Sequence, residues 1–157
     1  MELYSIVGEF GTCPTPAEWE ARHQLFRTME FAALGDSSFC QHEQAIPITY
    51  ELERAFCAAA WISVVLLSHC LVDMYFNERG LSYQEVRKKK MGHHTLWEEL
   101  EWLRNKRNPL VHRSKNDAVA VSSSDQWFNR EQLFEDAKRA VSIAFQFTLE
   151  PSRSTVR

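Results

Sequence analysis

The residues whose types and spacing could do chemistry gather in one hexapeptide, Arg107-Asn108-Pro109-Leu110-Val111-His112. A guanidinium holds an anion with a planar fork of donors, and an imidazole gives or takes a proton near neutral pH. Side by side they are the parts needed to stabilise charge and move a proton at an anionic centre. The placement adds weight. Leu96, Leu100, Leu103 and Arg107 follow at steps of four, three and four, so the guanidinium lands on a line that buries leucines. An arginine there needs an anion, a partner chain or a cleft, because burying it unpaired is costly. Pro109 disfavours helical geometry at Asn108. The sequence therefore predicts that the helix stops there, that Asn108 caps a following turn with Pro109 at its first position, and that the bend returns His112 to Arg107.

Other candidates are weaker. Ile62, Leu66, His69 and Asp73 share one helical line, and His69 and Asp73 could satisfy each other inside a bundle. His93 and His94 are adjacent, so their rings diverge, and no cysteine or carboxylate stands at metal-ligand spacing from them. His69 and Cys70 are adjacent as well, which suits no thiolate–imidazole pair. There is no GxGxxG, no phosphate-cradling loop and no GxSxG. No metal and no cofactor is expected.

The elements that must position the hexapeptide are legible from their starts. Thr15-Pro16-Ala17-Glu18 is a capping box with proline at the first helical position. The stripe Ala21, Leu25, Met29 and Ala32 follows it, and Gly35 ends the helix. A polar connection over Asp36–Pro47 leads to a long apolar helix, predicted from Thr49 to Glu78 and stopped by Gly80. Ser82-Tyr83-Gln84-Glu85 opens a short helix through Arg87, Lys88, Lys89 and Lys90. Thr95-Leu96-Trp97-Glu98 opens the helix that carries the hexapeptide. Ala118–Val121 reads as a short strand or hairpin arm. Asn129 then caps a last helix with the stripe Leu133, Ala137, Ala140, Val141, Ala144 and Phe145, closed by Pro151. The fold class is all-α, a bundle of four to five helices. A loose arm over 1–14 precedes the helical domain at 15–150, and a frayed tail at 151–157 follows it.

Composition agrees with one such domain. The chain has 157 residues, 45% apolar and 25% charged, which excludes a disordered or fibrous protein. Five Gly and five Pro are too few for a many-turned β fold. Ala55–Val72 has the minimal length of a membrane span, but Ser63, Ser68 and His69 inside it favour a buried helix. The start lacks a basic, apolar leader, so a cytoplasmic protein is expected. The four cysteines, Cys13, Cys40, Cys57 and Cys70, form no CxxC pair. Cys57 and Cys70, in the apolar run, are expected as buried free thiols of a reducing compartment. Most of the five tryptophans should be core, with Trp97 and Trp102 beside the leucine stripe free to form a dimer surface or stack bases. The net charge of −3 hides a division: residues 1–78 carry −8, residues 79–113 carry +5, and the rest is neutral. The basic middle is either a solvated helix face or a contact for an anionic partner.

The hexapeptide resembles the motif of the HEPN superfamily, all-α domains whose nuclease members carry Arg, four to six residues, then His, commonly with Asn directly after the Arg. With 12 Arg and 6 His in the chain, chance alone yields roughly 1.4 bare Arg/His matches, but roughly 0.04 once Asn must follow. The resemblance covers about residues 16–149. It implies a homodimer in which both motifs line one cleft, and metal-independent cleavage of RNA by attack of the 2′-hydroxyl on the adjacent phosphate. His112 would then transfer the proton, Arg107 would grip the phosphate, and Asn108 would orient one of them. Asp73 matches the acidic residue that such nucleases often place on the preceding helix, where it could hold Arg107 or tune His112. Arg87, Lys88, Lys89, Lys90, Lys106 and Arg113 would follow the RNA backbone. Ser114 stands where HEPN toxins silenced by a nucleotidyltransferase have tyrosine, so that form of control is not implied; RNA, a second copy and a regulatory protein are the candidate partners. The competing reading is a catalytically silent HEPN-like module for dimerisation or for protein or nucleotide binding.

Overall fold

A computed structural model describes residues 6–35, 43–88, 94–112 and 121–149, apart from the side chains of 86–88, 94 and 95. Its helices are α1 (Pro16–Leu34), α2 (Ala45–Cys57), α3 (Trp61–Glu78), α4 (Tyr83–Lys88), α5 (His94–Val111), α6 (Ser123–Phe128) and α7 (Arg130–Thr148). Among the described residues there is no strand, so the protein is all-α, with five long helices and two short ones. The expected strand over Ala118–Val121 lies, but for Val121, outside the described residues, as do Lys89, Lys90, His93, Arg113, Ser114 and the tail.

Local chemistry sets three of the helix starts. Thr15 Oγ1 accepts the Glu18 N–H, and Glu18 Oε2 accepts the Thr15 N–H at 2.7 Å. Ser82 and Glu85 exchange the same pair of bonds ahead of α4. α5 begins at His94, so Thr95 lies inside its first turn rather than before it. A further box, Ser122 with Asp125, opens α6 and was legible in principle as S-x-x-D. Asn129 precedes α7 without a side-chain bond to it.

The single long helix expected over 49–78 is two helices. α2 starts earlier, at Ala45, with Pro47 in its first turn where the missing N–H costs nothing. The chain then breaks at Ala58–Ala60, where Ala59 has φ of 58°. Buried arginines hold the break open: Arg22 Nη1 donates to the Cys57 carbonyl at 2.9 Å, and Arg130 Nη2 to the Ala59 carbonyl at 2.9 Å. The apolar run is thereby divided, and among the described residues no helix is long and apolar enough to cross a membrane.

α3 lies at the centre, packed most extensively on α7 and next on α2, with α5 also against it. Val64, Val65, Leu71, Val72 and Phe76 of α3 meet the small face of α7 made by Ala137, Ala140, Val141 and Ala144. Small residues let the two axes approach closely. Phe26, Phe56, Trp61, Phe134 and Phe145 form an aromatic cluster with ring centroids 5.1–6.2 Å apart. On α1 the innermost side chains are Phe26 and Arg22; Leu25 and Met29 pack at the edge of the core, and Ala32 is exposed, so the expected stripe is rotated. The arm is packed at residues 6–8 rather than loose, and Val7 is buried. The Ile6, Val7 and Gly8 carbonyls accept from Arg22 Nε, Trp61 Nε1 and Arg130 Nε at 2.7, 3.1 and 2.6 Å.

Candidate active site at the end of α5

The leucine stripe of α5 runs as expected. Leu100 and Leu103 are buried, and Arg107 follows them at the margin, half-buried. The helix does not stop at Asn108. It continues through Pro109 to Val111, and the His112 N–H donates to the Asn108 carbonyl at 2.9 Å. Pro109 has no N–H to give the Asn105 carbonyl, so that intrahelical bond is lost, and the helix ends two residues later at Val111. His112 therefore reaches Arg107 by helical spacing and side-chain length, not by a bend. Arg107 Nη1 donates to Asn108 Oδ1 at 3.1 Å and lies 3.3 Å from His112 Nε2. A guanidinium has no acceptor, so Nε2 must supply its lone pair in this contact. Nε2 is the ring nitrogen that faces the guanidinium. Nε and Nη2 of Arg107 make no hydrogen bond among the described residues. His112 is exposed.

Behind this pair stands the residue foreseen on α3. Asp73 Oδ2 is 3.0 Å from His69 Nδ1, and His69 Nε2 is 3.3 Å from the Tyr83 hydroxyl. Tyr83 also bonds Asp73, and its ring lies parallel to His69, 6.0 Å between centroids. Burial pushes the Asp73 carboxyl up, but the bonds from His69 and Tyr83 and the Arg107 charge outweigh it, so its pKa lies below the ordinary value. Burial, with the Asp73 charge beside it, raises the Tyr83 phenol. His69 is only 4% exposed and faces inward, so it serves to hold Asp73. Asp73, more than a third exposed, shows its charge towards Arg107.

The other predicted residues divide. Lys106 turns to α7 and pairs with Asp136 at 2.6 Å. Arg87 and Lys88 fall on α4, but their side chains, like Lys89, Lys90 and Arg113, lie outside the described residues. Trp102 is not open for stacking: Arg139 sits 4.2 Å from its ring centroid and forms a two-pronged ion pair with Glu99. Cys57 is buried, and burial raises its thiol pKa to about 11; Cys70 is exposed, against expectation. One step along α3 from the inward-facing His69, its side chain turns out of the core.

Sequence reasoning passed over Tyr83 and Arg104. Arg104, one turn before Arg107, lies 5.3 Å from the Tyr83 ring centroid. Nothing in the primary pattern marks Tyr83 except its place one residue after a helix cap. The site as a whole joins a half-exposed arginine, an exposed imidazole and a buttressed carboxylate. No protein-family model, curated protein or solved structure matches the chain.

Proposed function

We propose that the chain is a metal-independent endoribonuclease of HEPN type, acting as a homodimer whose two Arg107/His112 pairs line one cleft. The observation that carries this reading is the Arg107–His112 contact, 3.3 Å at the protein surface, with two guanidinium nitrogens unpartnered among the described residues. In the reaction the RNA 2′-oxygen bonds to phosphorus and the bond from phosphorus to the 5′-oxygen breaks. One proton leaves the 2′-hydroxyl and one arrives at the 5′-oxygen, giving a 2′,3′-cyclic phosphate and a 5′-hydroxyl. Two copies of His112 can divide these roles, each worth about 10²–10⁴ in rate. Arg107 places its free edge on the non-bridging oxygens and stabilises the added charge. Asn108 steadies the guanidinium through Oδ1. Asp73 faces it from α3 as a positioning residue. The basic run Arg87–Lys90 follows the backbone of the RNA.

The test is cleavage of single-stranded RNA in the presence of EDTA, with the ends of the products identified. Cyclic-phosphate ends, a dimer of about twice 18.3 kDa, and a loss of about 10²-fold or more in His112→Ala with an unchanged melting temperature are expected. Full activity in His112→Ala, or activity that vanishes with chelator, overturns the mechanism. The second reading, a silent interaction module, is favoured by Arg107 and His112 already being partnered with each other in one chain. It prevails if the folded protein cleaves no RNA and the two alanine variants lose only association.

A further inference from the structure

Away from the Arg107–His112 pair, the clamped arm forms one wall of an open cleft of about 470 Å³. Gly8, Glu9 and Phe10 line one side, and Trp127, Phe128 and Glu131 the other. We propose that this cleft binds a cationic side chain, a lysine ammonium or an arginine guanidinium, presented by an extended segment of a partner protein.

The aromatic lining is the first argument. Phe10, Trp127 and Phe128 are 40%, 60% and 85% exposed, a contiguous patch of the kind that marks a contact surface. Phe10 and Trp127 meet edge-on, with centroids 5.2 Å apart and planes at 78°. Such a corner offers a ring face, whose negative quadrupole attracts a cation, and an apolar wall for the aliphatic stem that carries it. Charge is the second argument. Glu9 and Glu131 are exposed, and no ion pair engages either among the described residues. The lining also contains Arg130, but it is 8% exposed. Its Nε, Nη1 and Nη2 are turned onto the Gly8 carbonyl, Gln126 Oε1 and the Ala59 carbonyl. Two carboxylates against one inward-turned guanidinium leave the cleft with an excess negative charge.

Preorganisation is the third. Three successive carbonyls, Ile6, Val7 and Gly8, are each held by a side-chain N–H. Gly8 has φ of 71°, and a Cβ there would come within 2.7 Å of Arg22 Nη2. The wall bearing Glu9 and Phe10 is thus set before any ligand arrives, which spares the partner the cost of ordering it. The volume falls within the range that accepts one long side chain with its flanking backbone.

The experiment uses the full chain with labelled tryptophan indoles and three nine-residue peptides, identical except for a central lysine, acetyl-lysine or glutamate. The lysine peptide should shift the Trp127 indole resonance saturably. Acetylation should weaken binding about fivefold or more, the loss of one desolvated cation–π contact. Glu131→Lys and Phe128→Ala, both at exposed positions, should each weaken the lysine peptide about as much. Equal binding of the acetylated peptide, preference for the glutamate peptide, or no saturable shift at millimolar peptide overturns the proposal. So does a dimer that dissociates in Phe128→Ala, because the patch is then covered by a second copy. None of these readouts depends on RNA cleavage.

Discussion

Arg22, Arg130 and Arg107 lie on or beside the core, and the structure uses them in two ways. Arg22 and Arg130 are 1% and 8% exposed, and each lies 6.0 Å from the Trp61 ring centroid. Most of their bonds end on main-chain carbonyls at both sides of the break between α2 and α3 and along the arm, while Arg22 Nη2 also pairs with Glu18 and Arg130 Nη1 with Gln126 Oε1. Burial depresses the pKa of both. Arg107 occupies a similar position at the end of a buried stripe, but its neighbours are Asn108, His112 and, on α3, Asp73. Two of its nitrogens stay without a protein partner among the described residues. An arginine whose fork is filled by buried acceptors is a structural crosslink; one whose fork is half empty beside an imidazole is suited to receive an anion. The difference lies in the acceptors that the fold brings, since residue type and stripe position are alike.

The comparison breaks most sharply at Arg107. Arg107→Lys should lower RNA cleavage by about 10²–10³-fold, because an ammonium cannot make the two-pronged contact, while the melting temperature stays unchanged. If that variant melts early and cleaves normally, Arg107 belongs with Arg22 and the distinction falls.

Arg22→Leu should do the reverse. Removing it orphans the Ile6 and Cys57 carbonyls, at about 1–3 kcal/mol for each buried group. Denaturant unfolding should register about 3 kcal/mol of lost stability, with cleavage per folded molecule retained. A loss below the error of the measurement would mean that water replaces the guanidinium and that the clamp is dispensable.

Gly8→Ala sharpens the same region. It combines a positive φ with a Cβ set against Arg22 Nη2. A cost of about 1–2 kcal/mol is expected. Gly35→Ala, where nothing lies near the added Cβ, isolates the backbone part of that cost. Equal losses at both sites would show that the approach of Arg22 contributes nothing.

The smallest effect concerns Asp73. Its folded pKa lies below the ordinary 3.8, so the stability it contributes is present above that pH and is lost as pH falls through the folded value. Asp73→Asn should cost about 1 kcal/mol at neutral pH and abolish that acid-dependent part of the stability curve. A variant with the wild-type acid profile would remove the carboxylate from the account of the site.

The elements with local signals were readable. Two capping boxes, the Leu100–Leu103–Arg107 line and the alanine face of α7 all follow from spacing and short-range hydrogen bonding. The Arg107–His112 proximity was readable too, though its route was not. Pro109 was expected to bend the chain, but the helix runs through it to Val111, giving up the bond that the Asn105 carbonyl would have accepted. Tyr83 was invisible because its role depends on where α4 docks against α3, a long-range matter with no periodic trace.

What the primary structure determined by itself is the all-α class, the capped starts of α1 and α4 and the meeting of guanidinium with imidazole, because each rests on groups within a few residues of one another. Tertiary structure decided the rest. Residues 55–66 read as uninterrupted helix, since alanine favours it and nothing local forbids it. The break at Ala59 exists because Arg22, 35 residues before Cys57, and Arg130, 71 residues after Ala59, bring donors to the carbonyls it exposes. A backbone turn that costs about 1–2 kcal/mol on its own becomes stable only when distant donors meet it, and no local reading of the chain contains them.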